Sequence, residues 1–171
     1  MAEENKEELM EADAEKGMFM TFQTGKEYFG ISISYVNEII AMQTITKIPE
    51  VEDYIKGLIN LRGKIIPVID VRVRFKMEPK EYTGRTCIIV IDVKSTVVGL
   101  IVEKIAEVDT IKDEDIVPPP ALGGHGSNEK NKYVYGLART GDVVKLLIDP
   151  EKLIKQEVLE VLEELSENEQ I

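Results

Sequence analysis

The sequence predicts an all-β protein, a sandwich or barrel built from two similar small units and finished by one helix. Three observations carry this. Short apolar or alternating runs follow one another from Gly17 onward, separated by turn-forming residues and with no long helical pattern between them. A second set of runs repeats the first in order. The one strong helical stripe comes at the end.

In chain order, MFMTFQT and FGISIS alternate as half-buried strands do, around the turn TGKE. SYVNEII follows, with its apolar residues at spacings that suit a short helical run. GLINLRGKIIPVID reads as strand, turn and strand, with Asp70 placed to cap a helical turn at VRVRF. CIIVIDV and VVGLIV form a second strand pair around KSTV. PPPALGGHGSNEKNK is the most loop-like stretch, and VVKLLID follows the turn TGD. Asp149 can then cap a helix whose first position suits Pro150, with Leu153, Ile154, Val158, Val161, Leu162 and Leu165 forming one apolar stripe.

The repeat aligns YFGISISYVNEI with VVGLIVEKIAEV, pairing Gly30 with Gly99, Val36 with Ile105, Glu38 with Glu107 and Ile39 with Val108. The same offset pairs Ile48 and Pro49 with Val117 and Pro118, and a larger offset pairs Gly57 with Gly136 and Asp70 with Asp149. One insertion in the proline and glycine loop would account for the difference. Each unit is too small to hide its apolar surface alone, so the two should pack together and leave a groove. Asn60, Leu61 and Arg62 fall opposite Arg139, Thr140 and Gly141, which makes Arg62 specific to the first unit.

Composition narrows the function. A formal charge of −11 opposes nucleic acid as a partner. One cysteine, Cys87, excludes an internal disulfide and a thiolate metal cage, and the one histidine, His125, lies in a glycine-rich loop far in sequence from it, which argues against a His-assisted nucleophile. Cys87 reads as a small apolar strand residue, GGHGSN as a connector rather than a phosphate loop, and Asp70, Asp92 and Asp149 as caps or turn formers. No nucleophile, base, metal or cofactor loop emerges, so the expectation is a protein that is not an enzyme and carries no cofactor. The acidic start lacks the pattern of a signal peptide, and no apolar run approaches the length of a membrane span, so a cytoplasmic protein is expected.

The pattern Asn60-Leu61-Arg62-Gly63 through Pro67 to Asp70, preceded by Gly57 and joined to the two repeat segments, resembles the CheW family of chemotaxis coupling proteins. The resemblance runs from about Met18 to about Leu165. Residues 1–16 read from their charge as an acidic flexible segment outside the resemblance and residues 166–171 as a flexible tail, while the resemblance implies two intertwined five-stranded SH3-like barrels with a hydrophobic groove between them and a C-terminal helix across residues 17–165. It also implies a non-catalytic adaptor that joins the helical hairpin tip of a chemoreceptor to the regulatory domain of the histidine kinase CheA, recruited to membrane-associated receptor arrays. The receptor groove would be formed by Val36, Glu38, Ile39, Cys87, Gly99 and Val108, with Glu38 and Arg62 as a hydrogen-bonded pair steadying the segment that carries Val36. Two alternatives remain: an adaptor of a chemosensory kinase pathway unrelated to motility, or a small-ligand binding module using the groove.

Overall fold

A computed structural model describes residues 17–119, 132–154 and 164. The acidic segment 1–16, the loop bearing His125, the tail 166–171, and Val158, Val161, Leu162 and Leu165 of the terminal stripe lie outside the described residues.

Eleven strands are described: β1 (Met18–Thr24), β2 (Glu27–Ser32), β3 (Val36–Ala41), β4 (Ile55–Leu61), β5 (Lys64–Asp70), β6 (Cys87–Val93), β7 (Thr96–Val102), β8 (Lys104–Thr110), β9 (Ile116–Val117), β10 (Val134–Thr140) and β11 (Val143–Ile148). Two one-turn helices, α1 (Val71–Arg74) and α2 (Pro150–Leu153), follow β5 and β11. Asp70 Oδ1 accepts from the Arg72 and Val73 amides, and Asp149 from the Glu151 amide, so both aspartates cap as their positions predict. SYVNEII departs from expectation: only Ile33–Tyr35 coils, as a 3₁₀ turn, and the rest is β3.

The strands form two sheets, in the orders β8-β1-β2-β11-β10-β9 and β3-β6-β7-β5-β4. Neither is made by one half of the chain. The five-stranded sheet takes β3, β4 and β5 from the first copy and β6 and β7 from the second; the other sheet takes the remainder. Each half lends a hairpin to its neighbour, through the parallel pairs β2 with β11 and β5 with β7.

The repeat holds register by register. Gly30 lies opposite Leu147 and Gly99 opposite Val68, equivalent pairs in the two parallel contacts. A Cβ on either glycine would come within 2.9 Å of a methyl group of that partner, so both positions need close backbone approach. The Asp70 amide donates to the Tyr54 carbonyl and the Asp149 amide to the equivalent Tyr133 carbonyl, both at 2.8 Å. One sequence pairing needs correction. Thr46 bridges Leu58, and Val117 bridges the equivalent Leu137, so Val117 corresponds to Thr46 and not to Ile48. The second copy is therefore two residues longer just before β9, where Asp113–Asp115 forms a 3₁₀ turn, and a single insertion does not account for the whole offset.

Three apolar layers result. Ile59, Ile66, Val68, Ile88, Val90 and Ile101 fill the barrel of the five-stranded sheet, and Phe19, Ile111, Ala138 and Leu147 fill the other. Between the barrels lies the largest cluster, which includes Met20, Phe22, Phe29, Ile89 and Ile91. Arg74 is buried there, its guanidinium 4.6 Å from the Tyr54 ring and 4.5 Å from the Tyr133 ring, while Nε donates to the Leu153 carbonyl at 2.9 Å. Among the described residues, no helix is long and apolar enough to cross a membrane.

Candidate partner-binding seam

Strand β3 is an edge strand, and its pairing with β6 contains a bulge between Val36 and Glu38. The extra residue changes which side chains share a face. Val36 pairs with Ile91 and Ile39 with Ile89, both in the layer between the barrels, so Val36 and Ile39 face that layer although they are three residues apart. The equivalent bulge in the β1–β8 ladder does the same for Ile105, opposite Phe22, and Val108, opposite Met20.

The result is an apolar seam with matching walls. Val36, Cys87 and Ile105 pack against the central layer as its partly buried floor. Ile39 and Val108, 39% and 44% exposed, stand at its rim on the two equivalent edge strands. The Cys87 thiol lies against the Ile105 backbone, and burial pushes its pKa up, which keeps it a neutral apolar group. Ile105 was absent from the expected site, although the repeat pairs it with Val36 and could have supplied it.

Two expected residues stand elsewhere. Gly99 is buried on β7, and a Cβ there would meet Ile88 at 2.7 Å and Val68 at 2.9 Å, so its open side faces the interior of the first barrel. It serves strand packing and not the approach of a partner. Glu38 pairs with Val90, whose side chain lies inside that same barrel, so Glu38 projects from the face of β3 opposite Ile39.

Glu38 does meet Arg62. The guanidinium donates to its carboxylate at 2.5 Å, with the two side chains 34% and 68% exposed. The hydrogen bond from Arg62 holds the Glu38 carboxyl below its ordinary value, and the same bond raises Arg62. The rest of the motif is architectural. Gly57 sits at positive φ, where a Cβ would collide with the Thr46 carbonyl; Asn60 accepts from the Gly63 amide at 2.8 Å; and Leu61 packs on the first barrel's core. Pro67 lies one residue before the ladder to β7 begins at Val68, where its missing N–H costs no bond there.

The second copy keeps the glutamate and changes its partner. Glu107, equivalent to Glu38, accepts from buried Lys145 at 2.9 Å, and Lys145 also binds Asp109. Burial alone would lower the Lys145 pKa, but its bonds to Asp109 and Glu107 outweigh that and raise it.

Comparison with known proteins decides the family. A family model described as the CheW-like domain matches residues 18–158. The chain belongs to the CheW family. Its relatives within that family include the chemotaxis protein CheW of Klebsiella aerogenes, 34% identical over 150 residues covering 88% of this chain and 89% of the relative. The CheW of Treponema pallidum is 32% identical over 163 residues, covering 91% and 92%. Among solved CheW structures, the scaffolding protein TtCheW from Thermoanaerobacter tengcongensis superposes with a TM-score of 0.73 at 34% identity, over 83% of this chain and 94% of that one. The two-barrel fold that the resemblance implies is the fold found, with one sheet of five strands as expected and the other of six, β9 being the addition.

Proposed function

We propose that this chain is a non-catalytic adaptor that joins chemoreceptors to the histidine kinase CheA. The observation that carries the reading is the seam: two equivalent edge strands present Ile39 and Val108 over a floor of Val36, Cys87 and Ile105, in a chain of the CheW family. A helix from the receptor hairpin tip lays apolar side chains along this strip, the usual chemistry of a helix received by a groove. The kinase's regulatory domain binds by barrel-to-barrel pairing, and the complex sits in membrane-associated arrays. Glu38 and Arg62 act from the mouth of the first barrel, behind β3, by fixing the strand whose other face carries Ile39.

The test is calorimetric titration of the chain with a soluble receptor cytoplasmic fragment. Ile39→Asp puts a charge at the rim of the seam, where the wild-type residue is already partly in water, and should weaken binding by about tenfold or more with little change in melting temperature. Unchanged affinity in the folded variant would remove the seam from the receptor contact.

A further inference from the structure

We infer a second site, an oxyanion pocket at the junction of the β1–β2 turn, the connector between α1 and β6, and the β7–β8 corner. It is independent of the adaptor reading. An open cavity of about 210 Å³ is lined there by Gly25, Lys80, Arg85, Thr86, Glu103 and Lys104, among others. Lys80, Thr86 and Glu103 also line a deeper chamber of about 10 Å³, against Thr24, Asp70 and Tyr82. That is room for roughly one oxygen atom.

The hydrogen-bond inventory says what kind of atom fits. Both Asp70 oxygens are engaged, by the Arg72 and Val73 amides and by the Tyr82 hydroxyl. Both Glu103 oxygens are engaged as well, by Arg72 and by the Gly25 amide. Thr86 and Thr83 hydroxyl oxygens accept from the Thr83 and Arg85 amides, which leaves their protons to be given away. At the deep end the Thr24 hydroxyl is fully buried and has no partner. Lys80, Arg85 and Lys104 form no ion pair among the described residues, and Glu81 is the one lining carboxylate left unengaged. Donors outnumber acceptors, and free cations outnumber free carboxylates, in a chain whose net charge is −11. An oxyanion, the phosphate or carboxylate group of a small molecule, supplies what this pocket lacks.

The experiment is an NMR titration of the ¹⁵N-labelled full chain with sodium phosphate, and in a second arm with succinate, both at ionic strength held constant with sodium chloride. Saturable shifts confined to the amides of Thr24, Gly25, Thr83 and Thr86 are expected, and the arm that saturates tells phosphate from carboxylate. Arg85→Gln should weaken that binding about tenfold, as loss of a charge-assisted hydrogen bond does. Thr24→Val should weaken it several-fold while folding normally, since the equivalent position in the other half is buried Val93. Failure to saturate in both arms, or affinity unchanged in both variants, overturns the proposal.

Discussion

Arg62 occupies the tip of the β4–β5 hairpin at φ +53°, next to Gly63 at φ +85°. Glycine or asparagine satisfies such a turn at least cost, and the second copy places Gly141 there, at φ +65°. An arginine held in the left-handed region is therefore kept for its side chain, which meets Glu38. Arg62→Gly should leave the melting temperature close to that of the parent, because relief of the left-handed cost offsets the loss of an exposed ion pair. Under the adaptor function proposed above, the same variant should lose receptor control of kinase activity in a reconstituted assay. The pair also has a pH signature. Because the folded Glu38 pKa is lowered, its contribution is complete above the ordinary carboxylate value and disappears as pH falls through the lowered one. Lys145 behaves oppositely and matters more for the fold, since its side chain is 3% exposed. Its raised pKa makes its contribution complete below the ordinary lysine value and lost as pH climbs through the raised one. Lys145→Met strands Asp109, 15% exposed, and should cost about 3 kcal/mol in urea unfolding.

At the scale of the element, the two parallel contacts limit the sequence most tightly. Gly99→Ala forces a methyl group against Ile88 and Val68, and should cost roughly 1–3 kcal/mol by denaturant unfolding without moving the seam. The elements themselves were largely legible. Alternation located β1 and β2, apolar runs located β5, β6, β7 and β11, and Asp70 and Asp149 marked both helix starts. The facing of β3 was not legible, for a physical reason. A bulge places Val36 and Ile39 on one side of a strand, and the resulting spacing of three is also what a helix shows. The same ambiguity hid the fact that Glu38 and Ile39 point to opposite faces. Gly99 misled differently: a glycine that admits a neighbouring strand and one that admits a partner look alike until the strand order is known.

At the scale of the molecule, periodicity revealed the duplication but not the exchange of hairpins, because a strand's pattern records which face is buried and not which strand lies beside it. The exchange has a direct consequence for folding. Residues 1–84 and 85–171, produced separately, each lack strands that complete their sheets, and neither should give a dispersed NMR spectrum alone. Mixed together, they should recover the spectrum of the intact chain. Two independent barrels would instead fold apart.

The buried guanidinium of Arg74 adds a rule of pairing. Arg74 and the residue whose carbonyl it binds, Leu153, hold equivalent places in the two copies, so the pseudo-twofold axis brings one against the other. Two first copies joined about that axis would bury two guanidiniums face to face, and two second copies would leave both tyrosines without their cation. The like pair that this position opposes is that of two first copies. The duplicated chain thus behaves as a heterodimer in one polypeptide, with a bar to pairing of two first copies written at a single internal position.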